Sequence, residues 1–310
     1  MPTDGTIHRL AADPAREARP VILLNFAAGG GSDGLVPVIR AALLDVGFDA
    51  EVRQVKPTQL HHAAREAIAR GVRLIVAAGG DGTIRSVASV IIGTDAVLGV
   101  LPAGTLNHFA KDLGLPLDIF HAVRVLAAGR VREVDVGEVN ARLFLNNSSI
   151  GLYPMMVERR EKERHRLGLS KWVAMLLAFL ALFRRYPRVH VTLEGAGGEP
   201  VQCATPLVFV GNNRYETDLL KLGRRTSLDA GELWVYLMHA PTRARLLWVV
   251  LRGIIGRMRN AKDFRSFATK SLLIETRKKR LRVATDGEVA RIEPPLVYRS
   301  RPKALRVIAP

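Results

Sequence analysis

The hydrophobic positions between residues 20 and 136 alternate between short strand-like runs and stretches with a helical period. The runs are "PVILLNF", "EVRQV", "RLIVAA" and "AVLGVLP". Helical spacing of apolar residues covers Leu35 to Val46, Thr58 to Arg70 and Thr83 to Ile92, with Thr58 as the expected N-cap and Gly71 as the expected end of the second helix. This alternation predicts βαβ units, and therefore a parallel sheet covered by helices on both faces.

The pattern changes after about Asn140, where strand-like runs follow one another. These runs are "RLFLNNSSIGL", "RVHVTLE", "TPLVFVGNN", "GELWVYLM", "SLLIETR" and "LRVATDGEVARI". Two helical stretches interrupt them, from Ser170 to Arg185 and from Thr242 to Met258. The second half therefore predicts a mostly antiparallel β domain, so that the whole chain is of the α/β class with two domains.

Composition narrows the class of partner. The 310 residues suit one large domain or two of ordinary size, and two is the better expectation. Lys and Arg number 46 against 29 Asp and Glu, and the net charge of +17 favours an anionic partner: nucleic acid, a phospholipid surface or a polyphosphate. Cys203 is the only cysteine, which excludes an intrachain disulfide and argues against a thiol nucleophile.

Residues 1–19 contain no apolar segment of the signal-peptide type, which predicts a flexible leader on a cytoplasmic protein. The longest apolar stretch, "WVAMLLAFLALF" from Trp172 to Phe183, falls short of the roughly 20 residues that a bilayer span needs. No membrane-spanning segment is expected.

A glycine-rich turn, "AAGGDGT", stands between a strand and a helix. Gly79 and Gly80 end the strand, and Thr83 lies near the helix N-terminus. Glycines let a phosphate approach the backbone, and a helix N-terminus carries partial positive charge. Asp81 would repel a phosphate unless a cation lay between them, so the turn predicts a nucleotide with Mg²⁺. A tight βα turn with no ligand is the alternative.

A second turn has the same layout one βα unit later, in "LGVLPAGTLNHFAKDLGLP". Gly104 and Thr105 follow a strand, and Asn107 precedes a helix. Neighbouring parallel strands place both turns at one carboxyl edge, where open α/β sheets bind ligands. The chain has no GxxxxGK[ST] sequence, and "AAGGGSDG" is not a GxGxxG fingerprint, which argues against a P-loop and against hydride chemistry.

Four segments in order resemble the diacylglycerol kinase catalytic-domain family of lipid kinases, and most of all its soluble bacterial branch, with sphingosine and ceramide kinases as relatives. The segments are GGDGT at Gly79 to Thr83, "LPAGTLNHFA" at Leu101 to Ala110, "FLNNSSIGL" at Phe144 to Leu152 and "TDGE" at Thr285 to Glu288. The resemblance covers nearly the whole chain after the leader, whereas GGDG alone is shared with NAD kinases and phosphofructokinases.

The resemblance implies a Rossmann-like ATP-binding domain at 20–139 and 297–310, and a β-sandwich lipid domain at 140–296 that carries the two inserted helices. ATP and lipid would meet between them. Asp286 would be the general base, although Asp286-Gly287 is also a common hairpin signal. The residues implied to hold ATP are Asn25, Gly79, Gly80, Asp81, Gly82, Thr83, Gly104, Thr105 and Asn107.

Metal binding is implied at Asp81, through nucleotide-bound Mg²⁺, and at Asp229. The segment "SLDAGELWV" resembles the family's Asp-Asp-Gly-x-Leu, a structural magnesium site, but has Ala230 at the second aspartate. The chain also departs from the family at three other places. The family commonly has Asn-Pro, Asn-Glu and Asp where this chain has, respectively, Asn25-Phe26, Arg85-Ser86 and His108.

The sequence therefore predicts an ATP- and Mg²⁺-dependent kinase for a hydroxyl of a membrane lipid, most of all a diacylglycerol-like one. The basic helix at 242–258 and "RKKRLR" fit docking on an anionic membrane at the inner leaflet, or else solvated packing. No nucleic-acid motif accompanies the charge. A homodimer is left open. The rivals are an NAD kinase-like enzyme and, because of Ala230 and His108, a catalytically degenerate lipid-binding regulator.

Overall fold

The computed structural model describes residues 8–9, 18–25, 34–158, 188–195, 199–215, 225–238, 242, 245 and 264–310. The chain divides into two compact units, the first from residues 1–136 and 302–310 and the second from residues 137–301. The predicted helix at 170–185 and nearly all of the one at 242–258 lie outside the described residues, as does most of the predicted leader.

Neighbouring parallel strands of the first unit lie in the order β3-β2-β4-β5. They are β2 (Val21–Asn25), β3 (Glu51–Val55), β4 (Leu74–Gly79) and β5 (Val97–Pro102). Every residue of β4 and β5 is buried, because helices cover both faces of the sheet. The short strand β1 (His8–Arg9) pairs with β6 (Arg130–Val139).

The described helices around this sheet are α1 (Leu35–Asp45), α2 (Leu60–Ala69), α3 (Asp81–Ile91), α4 (His108–Asp112) and α5 (Ile119–Ala128). Apolar residues of α1 and α5 pack with Ile22, Leu24 and Val76 in one buried cluster. Helix α2 packs on α3 and on β2, and α3 packs on β4. The βαβ pattern read from the sequence is confirmed, since the strands are parallel and buried on both faces.

The helix boundaries correct several expectations. Thr58 is not an N-cap: it lies in a 3-10 turn (Pro57–Gln59), and α2 begins only at Leu60. Gly71, with a φ of +79°, does follow the end of that helix. Helix α5 was not predicted; the Asp118 side chain accepts the His121 N–H at its start, and Gly129 ends it with a φ of 67°. An Asp and a Gly that enclose a ten-residue segment are the signal that could have revealed it.

The second unit contains two antiparallel sheets. One has the order β13-β12-β11-β8-β15-β16, and the other contains β10, β9, β14 and the first part of β17. The strands are β7 (Arg142–Phe144), β8 (Asn147–Gly151), β9 (Val189–Gly195), β10 (Val201–Thr205), β11 (Leu207–Asn212), β12 (Leu233–Met238), β13 (Phe264–Thr269), β14 (Ser271–Glu275), β15 (Leu281–Thr285), β16 (Glu288–Ile292) and β17 (Leu296–Ile308).

One buried cluster joins the inner faces of these two sheets. Ile150, Val210 and Val235 belong to the first sheet, and Leu193 and Ile274 belong to the second. Side chains from both sheets therefore share a single core, which makes the second unit a β-sandwich. The predicted fold class, a parallel-sheet domain followed by an antiparallel β-sandwich domain, is confirmed.

Two details of connectivity bear on the site. The last strand, β17, pairs antiparallel with β14 at its start, and near its end Val307 pairs with Leu98 of the parallel strand β5. The run "RLFLNNSSIGL" is not one strand, because β7 ends at Phe144 and β8 begins at Asn147. Within the described part of the chain, no helix has the length and apolarity needed to cross a bilayer.

Candidate active site

The two glycine turns of the first unit leave the ends of neighbouring parallel strands. Gly79 at the end of β4 pairs with Pro102 at the end of β5, and Leu24 in β2 pairs with Ala78. Asn25, the last residue of β2, donates a hydrogen bond from its Nδ2 to the Thr83 hydroxyl at 2.8 Å. The carboxyl edge of three strands thus brings together residues that are far apart in the sequence.

The glycines allow the two turns to touch. A Cβ added to Gly104 would lie 2.4 Å from the Gly80 Cα, and one added to Gly79 would lie 2.5 Å from the Thr83 Oγ1. Both distances are far below van der Waals contact. Gly79 and Gly104 are therefore required by the contact of the turns and of Thr83, a reason for glycine that is additional to the approach of a phosphate. A Cβ at Gly80 would make only a tight contact, 3.3 Å from the Gly104 Cα.

Asp81 links the same two turns. One carboxylate oxygen accepts the N–H of His108 at 3.2 Å and the other accepts the N–H of Phe109 at 3.0 Å. The carboxylate therefore stabilises the start of α4 while it lies in the first turn of α3, where negative charge is favourable. A carboxylate has about four lone-pair positions, and these two donors leave room for a metal or a metal-bound water.

Asn107 fixes the second turn from within. It has left-handed backbone conformation, with a φ of 52°, and its side chain is bonded at both ends to Gly104: the Oδ1 accepts the N–H at 3.0 Å and the Nδ2 donates to the carbonyl at 2.9 Å. Thr105 and Gly82 are exposed at the tips of the two turns. The predicted nucleotide residues thus form one connected edge with a rigid interior and an exposed rim.

Asp286 occupies the β15–β16 hairpin of the second unit. Asp286 and Gly287 have φ values of 48° and 83°, the positive pair of a type I′ turn, so the hairpin reading of this sequence is correct as local structure. The carboxylate also accepts three backbone N–H groups: that of Leu145 at 2.8 Å, that of Asn146 at 2.8 Å and that of Asn147 at 3.1 Å. These bonds fix the orientation of the carboxylate.

The break between β7 and β8 makes these bonds available. Residues 145 and 146 lie outside both strands, so their N–H groups turn toward Asp286 while their carbonyls point to a polar network that the sequence did not reveal. Arg225 and the Asn212 side chain donate to the Leu145 carbonyl, and the Tyr215 hydroxyl donates to that of Asn146. Arg225 and Asn212 are polar residues without periodicity, and no pattern in the sequence marks them.

Two family models match the chain. The model described as the diacylglycerol kinase catalytic domain matches residues 19–139, and the model described as the YegS C-terminal NAD kinase β-sandwich-like domain matches residues 149–309. The chain belongs to the diacylglycerol kinase family, in its YegS-like lipid kinase branch.

Relatives of this lipid kinase support the assignment. A probable lipid kinase YegS-like from Pseudomonas syringae pv. tomato is 31% identical over 257 residues, covering 73% of this chain and 82% of that protein. A diacylglycerol kinase from Bacillus subtilis is 47% identical over 88 residues, or 27% of this chain and 29% of that protein. A crystal structure of a diacylglycerol kinase from Bacillus anthracis shares the fold, with a TM-score of 0.69 at 21% identity over 94% of this chain and 97% of that one.

Asp229 is followed by Ala230, where the resemblance implies a second aspartate. The Ser227 hydroxyl donates to the Asp229 carboxylate at 2.5 Å and accepts the Asp229 N–H at 3.1 Å, so this aspartate closes a local turn. The Glu232 carboxylate accepts the Trp234 indole N–H, and Ala230 is exposed. In the described ranges, no three His, Cys, Asp or Glu residues are grouped so that they could hold a metal ion. The metal contact of Asp229 stays a prediction.

Proposed function

We propose that this lipid kinase transfers the γ-phosphoryl group of ATP to the hydroxyl of a diacylglycerol-like membrane lipid. The observation that carries the proposal is the contact of the two glycine turns, Gly80 against Gly104, at the carboxyl edge of β4 and β5. Ligands of open α/β sheets bind at that edge. The choice of a diacylglycerol-like acceptor is supported by the name of the Bacillus subtilis relative.

The nucleotide would be held by the edge of the first unit. The rim offers Gly82 and Thr105, and the N-terminus of the eleven-residue α3 contributes partial positive charge toward phosphate groups. Asn25 and Asn107 hold Thr83 and Gly104 in place through their side-chain hydrogen bonds. In this proposal Asp81 holds Mg²⁺ through the nucleotide. The ion would neutralise charge on the transferred phosphoryl group.

Asp286 is proposed as the general base. It would accept the proton of the lipid hydroxyl while the hydroxyl oxygen bonds to the phosphorus and the bond between the phosphorus and the ADP oxygen breaks. A general base must lie within hydrogen-bond reach of the proton that it takes, so its carboxylate has to be held in position. The three N–H donors from residues 145–147 supply that position.

The test uses purified protein, radiolabelled ATP and mixed micelles of diacylglycerol, ceramide or sphingosine, with a parallel reaction that contains NAD and no lipid. We expect labelled product from diacylglycerol, lost when EDTA removes Mg²⁺. Labelled NADP with no labelled lipid would assign the site to the NAD kinase-like rival. Nucleotide binding with no transfer to any acceptor would favour the degenerate lipid-binding regulator.

A further inference from the structure

Arg225 is a buried cation behind the segment that holds Asp286. The residue is 7% exposed, and buried charges persist only with polar partners. One guanidinium nitrogen, Nη1, donates to the Leu145 carbonyl at 2.7 Å and to the Asn212 carbonyl at 3.1 Å. The other, Nη2, donates to the Asn146 Oδ1 at 3.3 Å. Two of these three contacts are to the residues whose N–H groups bind Asp286.

A single peptide group connects the two charges. The Leu145 carbonyl accepts from Arg225, and the Asn146 N–H of the same peptide group donates to the Asp286 Oδ1 at 2.8 Å. The cation is therefore at the oxygen end of the peptide dipole and the carboxylate is at its hydrogen end. Both charges polarise the dipole in the same sense, which strengthens both hydrogen bonds.

We infer that Arg225 is a positioning residue for Asp286, acting through the Leu145–Asn146 peptide group to hold the carboxylate in the orientation for proton abstraction. This inference rests on the proposed role of Asp286. It assigns a catalytic consequence to a residue that would otherwise count as a structural arginine of the sandwich.

The segment has other supports, so that removal of the guanidinium need not unfold it. The Leu145 carbonyl also accepts from the Asn212 Nδ2 at 2.9 Å, and the Asn146 carbonyl accepts from the Tyr215 hydroxyl at 3.0 Å and from the Asn212 N–H at 2.9 Å. Arg225 is the charged member of this network. Its loss should therefore weaken the hold on Asp286 more than it weakens the fold of the segment.

A double-mutant cycle tests the inference. Arg225→Gln is expected to lower kcat by about 10-fold or more with the KM for ATP unchanged, and to lower it by less than about twofold when it is added to Asp286→Asn, because coupled residues are not additive. Thermal melting identifies the folded variants. If Arg225→Gln does not fold, Arg225→Lys replaces it in the cycle. The lysine keeps the positive charge and one hydrogen-bond donor for the Leu145 carbonyl.

Two comparisons sharpen the outcome. Arg225→Lys should recover part of the lost turnover, whereas Arg214→Gln, which removes an exposed guanidinium that stacks on Trp234 at 4.7 Å, should leave turnover near wild type. Equal fold-losses with and without Asp286→Asn would overturn the inference and make Arg225 a structural residue. Wild-type turnover in Asp286→Asn alone would instead overturn the proposed base, which is a separate result.

Discussion

The pairs Asp81-Gly82 and Asp286-Gly287 consist of the same two residues but differ in backbone conformation. In each, the aspartate carboxylate accepts backbone N–H groups from a distant segment, 27 and 28 residues away for Asp81 and 139 to 141 residues away for Asp286. Asp81 begins a right-handed helix, whereas Asp286 has left-handed conformation in a hairpin.

The surroundings of the two turns differ as well. The turn of Asp81 rests on close contact: Gly80 touches Gly104, and Phe109 is 1% exposed. The segment that holds Asp286 rests on the hydrogen bonds of Arg225, Asn212 and Tyr215. We therefore expect the first site to be most sensitive to added volume and the second to be most sensitive to the loss of charge or of a hydrogen bond.

The largest effect is expected at Asp286. The substitution Asp286→Asn keeps the shape of the side chain and one acceptor oxygen for the N–H groups but removes the base, so turnover should fall by roughly 10²–10⁴-fold while ATP affinity stays nearly unchanged. Lipid phosphorylation and binding of a fluorescent ATP analogue are the two measurements. Near-normal turnover would leave Asp286 with only its role in the hairpin.

Substitutions at Asp81 separate its proposed contact with Mg²⁺ from its hydrogen bonds to α4. Asp81→Asn retains one acceptor oxygen for the N–H groups of α4, loses the other and binds Mg²⁺ poorly. We expect activity to fall about 10–100-fold with a higher Mg²⁺ requirement, and the melting temperature to fall less than in Asp81→Ala. Asp81→Ala should abolish activity and also lower the melting temperature. If Asp81→Asn behaves as wild type in a Mg²⁺ titration, the carboxylate serves only α4.

Added volume should damage the first site. Gly104→Ala places a Cβ 2.4 Å from the Gly80 Cα and 2.8 Å from the Asn107 Oδ1, so the turns must separate, at a cost of about 1–3 kcal/mol in the free energy of unfolding. ATP affinity should fall with it, and Gly80→Val should act in the same direction. Urea unfolding and nucleotide binding measure the two effects. Gly195→Ala is the matched control, because among the described residues its Cβ would meet nothing closer than 3.6 Å; an equal loss in both alanine variants would refute the contact argument.

The smallest effect on chemistry is expected from the basic stretch outside both turns. Arg277, Lys278 and Lys279 are exposed and form no ion pair with other residues in the described part of the chain. Changing all three to glutamine should weaken binding to anionic vesicles, since each cation near the surface contributes about 1 kcal/mol. Turnover of a short-chain, monomeric lipid should not change.

Vesicle sedimentation at low and high salt provides the control for that triple variant. Salt shortens the Debye length from about 10 Å at 0.1 M to about 3 Å at 1 M, so high salt should reproduce the effect of the substitutions on the wild-type protein. Equal binding of the wild-type protein to neutral and anionic vesicles at low salt would mean that the net charge of +17 does not serve membrane docking.

The sequence by itself determined the architecture and the family. Alternation of strand-like runs with helical periods predicted the parallel sheet that β2 to β5 form, and the pair Asp286-Gly287 predicted a hairpin that the positive φ angles confirm. The four family segments, in order, indicated a lipid kinase. Each periodic run, each turn and each family segment is recognised from residues within about one element of one another. That is the range over which periodicity and turn chemistry act.

Only the tertiary structure decided what the site residues contact. No local pattern shows that "RLFLNNSSIGL" breaks at residues 145 and 146, that Asp81 binds the N–H groups of α4, or that Arg225 lies behind Leu145. At the break, Asp286, 139 to 141 residues away, accepts the N–H groups of residues 145 to 147. Each buried polar group needs a partner, and the partner is chosen by how the chain folds back on itself rather than by its neighbours in the sequence.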